Sequence, residues 1–314
     1  MLRNRRLSRN QLAQLVLPSD IINLSFFLLL LLISLVFADR VSNWLVLAFL
    51  YSGMLIVGCA LIWLYRGNPS ARTVIPRRWF PLAFVIIAFF SIGEMVHHVL
   101  PYDIDSELIA LDYAVFGVHP TVYLSRFLNP YLVDVLQICY ASFFFLPVIV
   151  GGNLYFRGKM SEFEIFAAGV CLGFYASYIG NLLFPASGPS QTLTALHPFP
   201  VEGKWVGSFI REVLFVLEPY RWDCFPSGHV EVTLVTITYC WRFARRLFWW
   251  MLPVATGLII STVWLQYHYV ADVVAGAVLA VAVVLVTDRI ERAWQRRSQS
   301  FEAAVTVPAD SGSS

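Results

Sequence analysis

Two histidines and an aspartate stand at the heads of hydrophobic runs in a chain that otherwise carries little polarity. His229 lies in WDCFPSGHVEVTLV, residues 222–235. His268 and Asp272 lie four residues apart in STVWLQYHYVADVVAG, residues 261–276. A neutral imidazole can attack phosphorus and form a covalent intermediate when its other nitrogen is held in the right tautomer. Asp272, one turn beyond His268 on the same face of a starting helix, is placed to accept the Nδ1–H and orient that ring. His229 can then protonate the leaving oxygen and later deprotonate the incoming water or alcohol. Ser227 and Gly228 open the helix that carries His229, where unpaired N–H groups attract phosphate oxygens. Pro226 suits a helix start. This chemistry, phosphoryl transfer, requires no metal, and no carboxylate cluster in the sequence is arranged to hold one.

The elements that must position these residues are membrane helices. Of 314 residues, 58% are hydrophobic and only 13% charged, and the mean hydropathy is +0.68. Soluble domains are nearer half apolar and a quarter charged. The five cysteines show no paired spacing, so neither a disulfide framework nor a zinc site is indicated. Runs near the roughly 20 residues that a spanning helix needs occur at 21–37, 44–65, 79–98, 132–154, 163–184, 226–241, 248–266 and 270–287. The expected fold is therefore all-α, a polytopic bundle of about eight transmembrane helices. Residues 99–131 mix acids with aromatics and read as an interfacial or re-entrant segment. Residues 185–225 form the other long connection. Three regions follow: 1–98, N-terminal helices behind a basic arm; 99–288, a catalytic core; and 289–314, a basic and disordered tail. The arm before the first run reads as a retained anchor rather than a cleaved signal, because FADRV is a poor cleavage site.

Charge sets the expected orientation. With the N-terminus inside, the inner segments hold 17 of the 22 basic residues. The positive-inside rule then places both termini in the cytoplasm. His229, His268 and Asp272 consequently meet at the non-cytoplasmic surface, although nothing in the helix count required them to coincide.

The PSGH at 226–229 with the later HYVAD at 268–272 resembles the second and third signature motifs of the type 2 phosphatidic acid phosphatase superfamily. The YHYVAD form looks more like the branch containing inositol phosphorylceramide synthase. The resemblance covers roughly residues 100–287. It implies a six-helix core, a phosphohistidine intermediate and metal-independent catalysis without a cofactor. Carried over by position, His268 is the nucleophile, Asp272 its partner and His229 the acid–base. The superfamily's first motif, a lysine and six residues before Arg-Pro, finds only Asn181 followed by Gly188-Pro189. The arginine expected six residues before the motif-three histidine is Thr262. Three phosphate-clamping cations are thus absent from their usual places. Arg221 on the outer loop is the best substitute, ahead of Lys204 and Arg211, with Ser227, Gly228 and Asn181 as further substrate contacts.

The expected partners are the bilayer and a phospholipid or polyprenyl-phosphate substrate in the outer leaflet, in a plasma (inner) membrane, with no nucleic acid. Hydrolysis and transfer to an acceptor, including an inositol-phosphate-type head-group transfer, use the same intermediate and are not separated by sequence. A non-enzymatic transporter is the alternative raised by Glu94, His97, His98 and Glu231. It is disfavoured because the polar constellation sits at helix ends and not at mid-membrane. Glu94 reads as pairing with His97 or His98, and Glu231 as meeting a neighbouring helix.

Overall fold

The structure, a computed structural model, describes residues 16–67, 71–217 and 222–305. The described residues form helices and loops without a strand. The long elements, in chain order, are α1 (Pro18–Val36), α2 (Trp44–Gly67), α3 (Ala71–Gly93), α4 (Asp105–Phe116), α5 (Pro130–Ala141), α6 (Leu146–Phe156), α7 (Met160–Leu183), α8 (Gly207–Leu217), α9 (Gly228–Phe243), α10 (Arg245–Trp264) and α11 (Val270–Val305). Short helical turns at Val96–Val99, Pro120–Ser125 and Pro189–Thr192 fill the connections.

Six of these helices are each long and apolar enough to cross a membrane: α1, α2, α3, α7, α10 and α11. A bent pair, α5 with α6, makes a seventh span if counted as one. The expected run at 132–154 is therefore not one straight helix. It bends by 49° at a 3₁₀ turn, Ser142–Phe144, just before Pro147, whose ring and missing N–H prevent the regular hydrogen-bond ladder from continuing. The expected run at 226–241 is α9, whose 16 residues span about 24 Å, short of the roughly 30 Å apolar core of a bilayer. It compensates by packing among α6, α7, α10 and α11 at the centre of the bundle.

Of the basic tail expected from 289, residues 289–305 belong to α11, and Gln295 Nε2 donates to Glu291 Oε1 at 2.5 Å, an i,i+4 contact of a solvated helix. Residues 1–15 and 306–314 lie outside the described residues, as does the expected anchor arm.

α7 joins the two halves of the bundle. One face packs on α1 and α3, where Phe26 stacks on Tyr175 with ring centroids 3.9 Å apart. Its other face packs on α6, α9 and α11. At the end away from the histidines, ion pairs tie the helices together. Arg77 forks onto buried Asp20 with both contacts at 2.6 Å, Arg78 meets Glu164 at 2.6 Å, and Arg242 meets Asp288 at 2.8 Å. The histidines occupy the opposite end, where α9 and α11 begin.

Those two helix starts approach very closely. Ser227 N–H donates to the Asp272 carbonyl at 3.3 Å, and a Cβ added at Gly276 would stand 2.5 Å from the Ser227 carbonyl oxygen. Gly276→Val is expected to force the starts of α9 and α11 apart and cost about 1–3 kcal/mol, read as lowered thermal stability in detergent. Gly53→Ala, where an added Cβ meets nothing within 4 Å, is the control expected to leave stability unchanged.

Candidate active site

The loop that carries His268 is held by carboxylates. α10 ends at Trp264, and Gln266 takes a left-handed conformation, φ 67°, which turns the chain sharply into α11. The first N–H groups of a helix have no partner within it. Here Asp112 of α4 accepts those of Val270 and Ala271, both at 2.9 Å. Asp272 Oδ2 accepts from Tyr269 N–H at 2.9 Å. Asp105, on the same face of α4, accepts from the Tyr269 hydroxyl at 2.8 Å and from the Ser187 and Gly188 N–H groups at 2.7 and 2.9 Å. The segment expected to be interfacial at 99–131 thus acts as a brace for the loop that carries His268.

The helix carrying His229 is fixed as firmly. Ser227 caps α9, its hydroxyl accepting from Val230 N–H at 3.4 Å. The His229 ring stacks on Tyr140 at 4.4 Å and lies 4.2 Å from Phe143 between centroids. The bend between α5 and α6 is what wraps these two rings around it. Tyr140 in turn stacks on Tyr267 at 4.0 Å.

His229 and His268 meet across a cavity of about 360 Å³. His268 Nε2 lies 3.5 Å from His229 Nδ1. His268 Nδ1 lies 2.9 Å from the Cys224 carbonyl oxygen and 3.5 Å from Asp272 Oδ2. A carbonyl only accepts, so this network assigns the proton to Nδ1 and leaves the Nε2 lone pair facing the cavity. The nearest acceptor of the Nδ1–H is the Cys224 backbone carbonyl, and Asp272 adds the expected carboxylate contact beside it, also accepting from the Cys224 thiol at 2.7 Å.

The expected substrate contacts divide differently. Ser227 is buried in its capping role and Gly228 packs against Ser177, so neither lines the cavity. Asn181 does not line it either. In the orientation that satisfies its amide, it donates to the Phe225 and Ser177 carbonyls at 2.9 and 3.1 Å, which fixes the loop before α9. Arg221 lies outside the described residues. Arg211 on α8 does line the cavity, with Asp223, Ser187, Ser190, Gln191 and Tyr267. Lys204 is exposed. Of the second polar cluster, Glu94 accepts from Asn43 at 3.2 Å, and His97 packs edge-on against Trp222 at 3.7 Å. Glu231 is buried against α7, where Ser177 donates to it.

Asp105, Asp112, Tyr140 and Asp223 were not singled out from sequence. The two α4 acids could have been, since seven residues apart they share a helix face with Leu108. Nothing in YASFFFLP marks Tyr140 as facing a histidine.

Cys224 Sγ, His268 Nδ1 and Asp272 Oδ2 lie close enough together to consider a cation. A metal would need the Cys224 thiolate. Burial, with the nearby carboxylates, holds that thiol well above its usual range. The thiol already donates to Asp272, so the chemistry of this donor set fits a hydrogen-bonded support better than a metal cage.

The sequence profile of the PAP2 superfamily, the type 2 phosphatidic acid phosphatases, matches residues 106–286. The chain belongs to this superfamily. That membership supports a phosphatase-type phosphoesterase activity, and the matched span holds both histidines, Asp272 and the bracing Asp112, with Asp105 one residue before its start. No curated protein and no solved structure matches the chain.

Burial pushes the Asp223 carboxyl up to about 6, with the His268 ring pulling the other way. Below that pH the group is neutral, and above it a negative charge faces the cavity. The KM for an anionic phosphate ester is therefore expected to rise as pH increases through about 6. Asp223→Asn should remove that rise, measured as the mutant-to-wild-type KM ratio across pH so that the substrate's own ionisation cancels.

Proposed function

We propose that this protein is a membrane-embedded lipid phosphatase or phosphotransferase that works through a phosphohistidine at His268. The observation that carries the proposal is the histidine pair, with one nitrogen of His268 tied to a carbonyl and the other facing a partner imidazole and a cavity. In the first step Nε2 attacks phosphorus, the P–N bond forms and the bond to the leaving oxygen breaks. His229, entering the step as the imidazolium, gives its Nδ1 proton to that oxygen and is left neutral. The Cys224 carbonyl and Asp272 stabilise the positive phosphoimidazole through the Nδ1–H. In the second step the now basic His229 takes a proton from water or an alcohol, whose oxygen attacks phosphorus and releases Nε2. Water yields inorganic phosphate, whereas a lipid or polyol hydroxyl yields a new phosphoester. The two imidazoles, 3.5 Å apart, must separate to admit the phosphoryl group.

A lipid substrate accords with the setting of the cavity at one end of a bundle of apolar helices. The distribution of basic residues along the sequence, 17 of 22 on the segments expected to be inner, favours the far end, where Arg77, Arg78 and Arg242 stand, as cytoplasmic and the cavity as facing the non-cytoplasmic side of a plasma membrane. The YHYVAD stretch keeps head-group transfer, of the inositol-phosphate type, as the specific form of the transferase reading.

His268→Ala is expected to abolish turnover on every phosphoester tested. His229→Gln is expected to lower kcat by about 10²–10⁴ on alkyl phosphates and far less on p-nitrophenyl phosphate, whose leaving group needs no proton. Equal losses on both substrates would remove His229 from the acid role.

A further inference from the structure

We infer that Arg211, carried on the amphipathic helix α8, is the residue that grips the substrate's phosphate oxygens in the cavity. The inference rests on the phosphoryl-transfer reading and adds to it a cation from among the described residues.

A phosphate ester brings at least one negative charge into a partly buried site, and among the described residues the groups other than Arg211 do not compensate it. Among the described residues lining the cavity, the ionisable side chains are Arg211, Asp223, Cys224, His229, Tyr267 and His268. Asp223 repels an anion when ionised, the attacking His268 is neutral, and His229 is cationic only until it gives up its proton. Arg211 is the only permanent cation in that set. Its guanidinium rests 5.6 Å from the Tyr267 ring centroid, next to His268 in the chain. Its one hydrogen bond among the described residues is a long one, from Nη1 to the Leu265 carbonyl at 3.4 Å. A guanidinium has five N–H donors in a fork that matches phosphate oxygens. Most of that capacity is therefore available on the cavity side.

The helix explains how a charged residue comes to stand there. Arg211, Leu214 and Phe215 share the cavity face at i, i+3 and i+4. Phe209, Val213 and Val216 are exposed on the other side, the pattern of a helix lying in a membrane interface. The N-terminal end of α8 is pinned by Asp134 of α5, whose carboxylate accepts from the backbone N–H groups of Lys204, Trp205, Val206 and Gly207, the last at 2.7 Å. The arginine is thus held at the cavity by an anchored helix whose outer apolar face suits a membrane interface, where a lipid phosphate would lie.

The test uses the full-length protein in detergent and inorganic phosphate as the probe. Phosphate-dependent thermal stabilisation is measured at constant ionic strength against sodium chloride, for wild type, Arg211→Gln, Arg211→Lys and His268→Ala, with turnover measured in parallel. The expected result is a half-saturating phosphate concentration at least about tenfold higher for Arg211→Gln, an intermediate value for Arg211→Lys, and a value near wild type for His268→Ala. The lysine variant keeps the charge, so it separates anion binding from a loss of packing should the glutamine variant unfold. A half-saturation for Arg211→Gln within twofold of wild type, or no phosphate-specific stabilisation of wild type, would overturn the inference. Turnover surviving in His268→Ala while Arg211→Gln loses phosphate binding would overturn the phosphohistidine reading and leave this inference standing.

Discussion

The site depends on the contact between the first turns of α9 and α11, which Asp272 closes. One of its carboxylate oxygens collects the Tyr269 N–H and the Cys224 thiol and stands 3.5 Å from His268 Nδ1. Its backbone carbonyl accepts from Ser227 N–H. A single residue therefore holds the loop before α9, the start of α11 and the rear of the His268 ring. In an apolar bundle a carboxylate is tolerated only when hydrogen bonds replace its water. That demand couples the two histidines, because a shift of either helix start breaks contacts at Asp272.

The rest of the fold supports that contact from outside. Asp105 and Asp112 reach it from α4, so the acids of a segment with no spanning length stabilise the turn of a spanning helix. Tyr140 and Phe143 reach it from the bend in the α5–α6 pair, which a straight helix would carry past His229. Asn181 secures the Phe225 carbonyl, and the ion pairs at the far end keep the long helices in register. α1–α3 pack on the opposite face of α7 and contribute no group to the cavity. The cavity is thus a property of residues within the matched span 106–286.

Much of this was legible in the sequence, for definable reasons. His229, His268 and Asp272 were found because they are few, stand at the edges of apolar runs and include an i,i+4 pair, all of which are local features. The apolar runs located the helices because hydropathy reports lipid exposure directly. What escaped were contacts that depend on three-dimensional placement. The nearest partner of His268 Nδ1 is a backbone carbonyl, which no side-chain pattern displays. Asn181 aligned with a motif position, yet its amide faces inward to the loop. Arg221 lies outside the described residues, and Arg211 reaches the cavity on α8, 11 residues long and hidden within a Pro- and Gly-rich connection. The run 132–154 was continuous in hydropathy, and only packing reveals that its break matters.

The central claim is that His268 Nε2 carries the phosphoryl group between donor and acceptor. The most direct test is to quench the purified protein during turnover of a ³²P-labelled lipid phosphate and map the labelled peptide by mass spectrometry under alkaline conditions, which preserve phosphohistidine. The account predicts an acid-labile label on His268, formed and lost at rates compatible with turnover. A label on any other residue, or turnover with no labelled protein at any quench time, would contradict it.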